Sequence, residues 1–252
     1  MVILPAIDLR DGKVVRLRQG RAEEETIFGD NPVEMARRWH SFGAEWLHLV
    51  DLDGAFEGAS ANVAAIRSIR AAVDMKIELG GGIRTIGHAE KFLSLGIDRV
   101  IFGTVAVSDP QVVRRAVERF GANRVVVGID ARDGRVAVRG WTETSAVDAT
   151  NLALQMREFG VERVVYTDIS RDGTGHGVNV EATANLAKTT ALKIIASGGV
   201  RELDDVVRLI EHESDGIEGV IIGRALYDGT IELDKVLEIA RKDTSLNDSD
   251  KE

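Results

Sequence analysis

In the stretch Ile194-Ile-Ala-Ser-Gly-Gly-Val-Arg201, a short apolar run ends in a glycine pair and a helical pattern follows. Such a run is typical of a strand that is buried on both faces, as in a parallel sheet. Gly198 and Gly199 lack a Cβ, so the backbone can come close to a ligand and direct its N–H groups at an anion. The stretch therefore predicts a strand, a phosphate-binding turn and a helix.

Three other stretches have the same form. Gly219-Val-Ile-Ile-Gly-Arg-Ala225 follows further along the chain, and Ile77-Glu-Leu-Gly-Gly-Gly-Ile-Arg84 and Arg99-Val-Ile-Phe-Gly-Thr104 repeat the pair 117 to 120 positions upstream. In an eight-stranded α/β barrel, the loops after the last two strands often bind phosphate. The repetition predicts two phosphate sites, the first cradle (Gly81, Gly82, Gly103 and Thr104) and the second cradle (Gly198, Gly199, Gly223 and Arg224).

Apolar runs and helical patterns alternate along the whole chain, which predicts an α/β protein with a single (β/α)8 (TIM) barrel over residues 1–241. Two tight turns, at Asp11-Gly12 and Asp133-Gly134, predict short hairpins. The remainder of the segment Leu9–Gly29 is predicted to be a long polar loop. The polar and charged segment 242–252 is predicted to be a disordered tail.

The chain also repeats within itself. Ala6-Ile-Asp-Leu-Arg-Asp-Gly12 matches Gly128-Ile-Asp-Ala-Arg-Asp-Gly134, and Leu49-Val-Asp51 matches Tyr166-Thr-Asp168. The period is too long for a solenoid. We therefore expect the barrel to consist of two duplicated (β/α)4 halves.

Asp8 and Asp130 end the first and fifth predicted strands, which lie opposite each other in a ring of eight. The two predicted cradles lie on opposite sides of the same ring. This arrangement predicts an elongated small-molecule ligand with a phosphate at each end and its reactive centre between two carboxylates. Two carboxyl groups whose environments separate their pKa values can act as general acid and general base.

Several of these residues have a simpler interpretation. A glycine pair can be only a tight turn, and an aspartate at a strand end can cap the next loop or helix. Asp51, Asp53 and Asp168 are an alternative metal site, but no histidine-rich spacing supports one, so we expect no metal. His48 is expected to pack within its strand. Trp141 is either a surface packing residue or a lid that stacks on a heterocycle, and the lid is favoured.

The net charge, the cysteine content and the lengths of the apolar stretches exclude several classes of function. A formal charge of −9 and a pI near 5.2 argue against a nucleic-acid or anionic-membrane partner. The absence of cysteine excludes disulfides and thiolate chemistry. No apolar stretch is long enough to span a membrane, and the amino terminus does not resemble a signal peptide. We expect a cytoplasmic protein that is monomeric.

The chain contains seven short motifs that occur together in one known family. They are Pro5-Ala-Ile-Asp-Leu9, His48-Leu-Val-Asp-Leu-Asp-Gly54, Gly80-Gly-Gly-Ile-Arg84, Gly103-Thr104, Asp172-Gly-Thr174, Ser197-Gly-Gly199 and Gly223-Arg224. Over residues 1–241 the chain resembles the ProFAR isomerase family of histidine biosynthesis. The resemblance implies an Amadori rearrangement of the aminoaldose ProFAR to the aminoketose PRFAR, on a substrate with two phosphates and an imidazole carboxamide. It implies no metal and no organic cofactor.

The resemblance also implies roles for single residues. Asp8 is the base that removes the proton from ribose C2, and Asp130 is the acid that protonates the ring oxygen. Thr167 assists near Asp130. The residues expected to contact the substrate outside the cradles are Arg84, Trp141, Asp172, Gly173 and Thr174.

Three alternatives remain. The cyclase that acts next in the same pathway shares the duplicated barrel, but its first strand typically ends in Cys-Leu-Asp, whereas this one ends in Ala6-Ile7-Asp8. A dual-specificity relative also isomerises phosphoribosyl anthranilate and carries extra arginines in the strand-five loop, which Arg139-Gly-Trp141 matches in part. A non-catalytic sugar-phosphate sensor would need the glycines but not both aspartates.

Overall fold

Strands and helices alternate along the chain, and the computed structural model describes residues 1–57, 61–138 and 140–249. The strands are β1 (Val2–Arg10), β2 (Lys13–Arg18), β3 (Arg21–Gly29), β4 (Trp46–Asp51), β5 (Lys76–Gly80), β6 (Arg99–Phe102), β7 (Val125–Arg132), β8 (Arg135–Val138), β9 (Glu143–Asp148), β10 (Arg163–Asp168), β11 (Lys193–Ser197) and β12 (Ile217–Ile222). The helices are α1 (Pro32–Ser41), α2 (Leu52–Glu57), α3 (Val63–Ala72), α4 (Ile86–Ser94), α5 (Val105–Ser108), α6 (Pro110–Phe120), α7 (Ala149–Glu158), α8 (Val180–Thr190), α9 (Leu203–Ile210), α10 (Arg224–Tyr227) and α11 (Leu233–Ser249).

Parallel strands close into a ring in the order β1, β4, β5, β6, β7, β10, β11 and β12. β1 pairs with β12 on one side and β4 on the other, and β7 pairs with β10 to complete the circle. Because each strand is covered on both faces, its residues are apolar in succession, as in the fully buried run Val125–Val127. The predicted (β/α)8 barrel is confirmed.

The barrel has two apolar layers. One lies between the strands and the surrounding helices, where Trp39, Leu47 and Ile77 are almost completely buried. The other lies inside the barrel below its carboxyl-terminal mouth and packs its interior. Its members are Leu4, Ala6, Trp46, Ile101, Val126, Val165, Ile195 and Ile221.

Each half of the barrel has a hairpin after its first strand, and the two hairpin turns have the same backbone geometry. Asp11 and Gly12 have φ of 49° and 74°, and Asp133 and Gly134 have φ of 51° and 74°. Both pairs turn the chain back into a strand that runs antiparallel to the one before, β2 on β1 and β8 on β7. The predicted hairpins are confirmed, and their matched turns agree with a duplicated half-barrel.

The prediction of a long polar loop over Leu9–Gly29 is wrong, because β2 and β3 form an antiparallel ribbon across most of it. One face of this ribbon lies on the barrel, where Val15 and Leu17 are buried. The other face meets water, so the glutamates that suggested a loop fit a strand equally well. A polar stretch with alternating apolar residues is therefore a half-buried ribbon here.

Helix boundaries differ in detail from those predicted. The short helices α2, α5 and α10, which follow β4, β6 and β12, are not predicted, because segments of four to six residues have too little periodicity to detect. The last helix runs to Ser249, beyond the predicted end at Arg241. The prediction that the segment 242–252 is a disordered tail stays a prediction. In the described part of the chain, no helix is long and apolar enough to cross a membrane.

A buried asparagine connects the first hairpin to the loop after β4. The Asn62 side chain donates to Asp51 Oδ1 and Asp53 Oδ2, both at 2.7 Å, and its oxygen accepts from the Gly12 N–H at 2.9 Å. Asp53 also accepts from the Asp11 N–H at 2.8 Å. These hydrogen bonds fix the turn of the first hairpin to the segment that follows β4.

Replacing Asn62 with alanine leaves two buried carboxylates and one N–H without this partner. We expect Asn62→Ala to lower the free energy of unfolding by about 2–4 kcal/mol, measured by urea denaturation. The matched control is Asn151→Ala on the exposed face of α7, expected to stay within about 0.5 kcal/mol of the parent. Equal effects of the two substitutions would show that the buried network contributes nothing.

Candidate active site

A cavity of about 830 Å³ opens at the carboxyl ends of the barrel strands. The structure brings every sequence-predicted site residue onto the wall of this one cavity, although their roles stay predictions. They are Asp8, Gly81, Gly82, Arg84, Gly103, Thr104, Asp130, Trp141, Thr167, Asp172, Gly173, Thr174, Gly198, Gly199, Gly223 and Arg224.

Asp8 lies at the end of β1 and forms an ion pair with Arg16 of β2, with 2.7 Å between Oδ2 and Nη1. Arg16 is held by a second bond from Nη2 to the Ala6 carbonyl at 3.0 Å, and its guanidinium lies 5.3 Å from the centre of the Tyr227 ring. Sequence reasoning missed Arg16. The register of the β1–β2 pair would not have revealed it, because that register places Val15, and not Arg16, opposite Asp8.

Arg16 is the positive centre of a carboxylate cluster. Burial acts to lower the pKa of its guanidinium, but Asp8, Tyr227 and Asp172 outweigh this effect and raise it. Burial raises the pKa of Asp172 to about 6, although Arg16 lowers it, and the charges of Asp8 and Asp130 raise it further. Three carboxyl groups therefore share one cavity, and the charges of Asp8 and Asp130 both act on Asp172.

Asp130, at the end of β7, has a different environment. Burial raises the pKa of its carboxyl, although hydrogen bonds with Trp141 and Thr167 and the charge of His48 act to lower it. Thr167 is the direct neighbour of Asp130 across the β7–β10 pair. Asp8 has an arginine beside it whereas Asp130 has neutral donors, so the two aspartates opposite each other in the ring are chemically unequal.

Trp141 reaches into the cavity from the loop between β8 and β9. Its backbone has a φ of 70°, which is strained for a residue with a side chain. A Cβ placed on Gly20 would lie 2.6 Å from Trp141 Cε3, so the β2–β3 turn lies directly against the indole. The indole forms a hydrogen bond with Asp130, and the role of Trp141 as a lid stays a prediction. Arg139 lies outside the described residues.

The glycine turns of the two cradles are tightly packed. Gly81 and Gly82 have φ of 93° and 72°, and a Cβ on either would collide with a backbone carbonyl. Gly198 and Gly199, with φ of 87° and 91°, are confined in the same way. Gly103 differs, since a Cβ there would meet nothing within 4 Å. These glycines therefore fix the shape of the turns, and Gly103 leaves open space on the cavity wall.

The two predicted binding arginines contact neighbouring loops in this structure. Arg84 donates from Nη2 to the Ala55 carbonyl at 2.7 Å, and Arg224 donates from Nη1 to the Gly173 carbonyl at 3.0 Å. Both line the cavity and are exposed. They bring positive charge to the side of each cradle.

The aspartates considered as a metal site support loops instead. Asp51 accepts from the Gly54 N–H at 3.0 Å, and Asp168 accepts from the Ser170 N–H and from Asn179. Among the described residues there is no group of three or more side chains that could hold a metal ion.

A family model described as "Histidine biosynthesis protein" matches residues 2–232. The chain belongs to this family. It is 52% identical over 241 residues to a protein of Syntrophotalea carbinolica, which is 96% of this chain and 99% of that one. It is 50% identical over 233 residues to a protein of Syntrophomonas wolfei (92% and 96%) and over 240 residues to one of Moorella thermoacetica (95% and 98%).

All three relatives are named 1-(5-phosphoribosyl)-5-((5-phosphoribosylamino)methylideneamino) imidazole-4-carboxamide isomerase. The chain is an isomerase. The family resemblance predicted from the motifs is confirmed.

The open space at Gly103 allows the predicted phosphate site of this isomerase to be tested without disturbing its fold. We expect Gly103→Ala to keep the unfolding midpoint and to weaken binding of ribose 5-phosphate about 10-fold, because the methyl group occupies the first cradle. Titration calorimetry measures the affinity. Gly29→Ala is the control, since a Cβ there also meets nothing within 4 Å and lies outside the cavity. Unchanged affinity in Gly103→Ala would exclude this turn as a phosphate site.

The raised pKa of Asp172 gives a dependence of stability on pH. A carboxyl with a raised folded pKa favours folding below its unfolded pKa of 3.8 and loses this contribution as pH rises through about 6. Asp172→Asn should therefore stabilise the isomerase relative to the parent at pH 7.5 but not at pH 4, by up to about 3 kcal/mol. Urea denaturation at both pH values tests this. The control is Asp74→Asn on the exposed surface. A difference independent of pH would contradict the prediction.

Proposed function

We propose that this chain catalyses the Amadori rearrangement of the aminoaldose ProFAR to the aminoketose PRFAR in histidine biosynthesis. The observation that carries the proposal is the unequal pair of aspartates on one cavity. Asp8 is ion-paired with Arg16 at 2.7 Å, whereas burial raises the pKa of Asp130. One carboxyl suits the base and the other the acid of a proton-transfer reaction.

The acid step opens the ribose ring. Asp130, whose raised pKa favours its protonated form, gives a proton to the ring oxygen as the bond between that oxygen and C1 breaks. The electron pair of the glycosylamine nitrogen forms the imine. Thr167 is the neighbour of Asp130 in register and holds its carboxyl by a hydrogen bond.

The base step moves the double bond. Asp8 removes the proton from C2, and the electrons shift toward the imine to give an enaminol, which becomes the ketone when C1 gains a proton and the C2 hydroxyl loses one. Arg16 fixes Asp8 in position through the ion pair. Proton transfers alone complete this isomerisation, so the proposal requires no cofactor.

The ends of the substrate fit the two cradles. The turn pairs after β5 and β6 and after β11 and β12 lie on opposite sides of the ring. A molecule with one phosphate at each end would therefore span the cavity and place its sugar between Asp8 and Asp130. Trp141 lies beside Asp130 and offers its indole face to the imidazole carboxamide.

Asp172 is a second candidate for the acid. Its pKa of about 6 leaves a fraction of the molecules protonated at neutral pH, which suits a general acid. Asp172 is also close enough to Asp8 and Asp130 for their charges to act on it. Comparing Asp130→Asn with Asp172→Asn in single-turnover assays identifies the acid, since losing it slows ring opening while losing a binding group raises KM.

An absorbance assay with ProFAR beside one with phosphoribosyl anthranilate tests the proposed activity. Turnover of ProFAR alone supports it, and turnover of both would establish the dual-specificity alternative. Binding without turnover would favour a sugar-phosphate sensor, and absence of both would contradict the proposal. The cytoplasmic location, the monomeric state and the lack of nucleic-acid or membrane partners stay predictions from the composition.

The base assignment is tested by Asp8→Asn, which keeps the shape of the side chain and removes its basicity. We expect the turnover of ProFAR to fall on the order of 100- to 10,000-fold while substrate binding persists. Stopped-flow assays and titration calorimetry measure the two quantities. Asp133→Asn, in the exposed turn of the second hairpin, is the control. Wild-type turnover in the Asp8 variant would remove this residue from the mechanism.

A further inference from the structure

Tyr227 ends the short helix α10, and the mechanism proposed above does not use it. Its ring contacts both the ribbon formed by β2 and β3 and the helix α1. The centre of the ring lies 4.7 Å from that of Phe28 on β3 and 5.6 Å from that of Trp39 on α1. The Trp39 ring meets it edge-on, at an angle of 88°. Tyr227 therefore joins the ribbon to the barrel through a cluster of three aromatic rings.

The hydroxyl of Tyr227 donates to β1 at the place where this strand changes partners. β1 pairs with β12 as far as Pro5 and with β2 from Asp8 onward, so Ala6 lies between the two pairings. The Ala6 carbonyl accepts from Tyr227 Oη at 2.7 Å and from Arg16 Nη2 at 3.0 Å. Burial raises the pKa of Tyr227, so the hydroxyl keeps the proton that it donates. Tyr227 and Arg16 thus share one backbone acceptor.

The guanidinium of Arg16 is confined by the groups around it. Nη1 pairs with Asp8 at 2.7 Å, and the guanidinium carbon lies 5.3 Å from the centre of the Tyr227 ring, close enough for a cation–π attraction. A Cβ placed on Gly223 would lie 2.5 Å from Nη2, so this glycine leaves the space that the guanidinium occupies. The buried Nε has no hydrogen-bond partner in the part of the chain that the structure describes. The ion pair, the Ala6 carbonyl and the Tyr227 ring therefore hold the guanidinium.

We propose that Tyr227 is a positioning residue of the isomerase reaction, whose ring holds the Arg16 guanidinium against the Asp8 carboxylate. This inference rests on the proposed function, because it takes Asp8 as the base. Tyr227 does not line the cavity, so it acts on the reaction through Arg16, which does. Loss of the ring lets the guanidinium move away from Asp8 and leaves the glycine turns of the cradles unchanged. The effect therefore falls on kcat and not on KM.

Two substitutions separate the ring of Tyr227 from its hydroxyl. Tyr227→Leu removes the ring, and we expect it to lower kcat with ProFAR roughly 5- to 30-fold, with KM within about twofold of the parent. Tyr227→Phe keeps the ring and should keep kcat within about threefold of the parent. A Tyr227→Leu variant with the kcat of the parent, an equal loss in both variants, or a rise in KM alone would overturn the inference. Tyr227→Met replaces Tyr227→Leu if the leucine variant does not fold in urea denaturation.

A double-substitution cycle with Arg16→Met tests whether Tyr227 acts through Arg16. If it does, adding Tyr227→Leu to Arg16→Met lowers kcat no further, whereas losses that multiply would overturn the inference. Phe42→Leu is the matched control. Phe42 also packs on Trp39, at 6.3 Å between ring centres, but it is exposed at the end of α1. Phe42→Leu should leave kcat and KM unchanged, and a loss equal to that of Tyr227→Leu would overturn the specific role of Tyr227.

If the parent does not convert ProFAR, the proposed function fails, and NMR then decides on Tyr227 without any turnover. The guanidinium protons of Arg16, assigned by their loss in Arg16→Met, should exchange with water several-fold faster in Tyr227→Leu than in the parent. Tyr227→Phe should exchange them at the rate of the parent. Equal exchange rates in the parent and in Tyr227→Leu would show that the ring does not hold the guanidinium and would overturn the inference.

Discussion

Closure of the parallel ring is the constraint on which the rest of the molecule depends. The backbone hydrogen bonds between β7 and β10 complete a circle that begins with β1 and β12, so no barrel strand has an open edge. The same closure brings the carboxyl ends of all barrel strands to one mouth. Asp8 and Asp130 are far apart in the chain, but both lie near the carboxyl ends of barrel strands. Both therefore line the same cavity.

Duplication gave the ring two similar halves, and small differences between them separate the functions of equivalent positions. Both halves have an Asp-Gly turn with the same left-handed geometry after the first strand. Yet β2 carries Arg16 beside Asp8, while Asp130 has the indole of Trp141. Asp53, after β4, supports the first hairpin, whereas Asp172, after β10, lines the cavity. Equivalent positions in the two halves therefore have different local partners.

The sequence predicted the barrel and the cavity-lining residues because both depend on short, repeated, local patterns. The Gly-Gly turns and the strand-end aspartates occur twice, so each half supports the interpretation of the other. Arg16 could not be found in this way, because its role depends on a contact with a residue of another strand. The ribbon formed by β2 and β3 was not predicted, because a strand with one solvent-exposed face contains as many polar residues as a loop.

The ribbon that carries Arg16 lies outside the ring, attached along one edge of β1. The ring thus supplies Asp8, and the ribbon outside the ring supplies the arginine that pairs with this carboxylate. Because Val15 and Leu17 of the ribbon are buried against the barrel, a substitution at either position would displace Arg16 and so remove the counter-ion of Asp8.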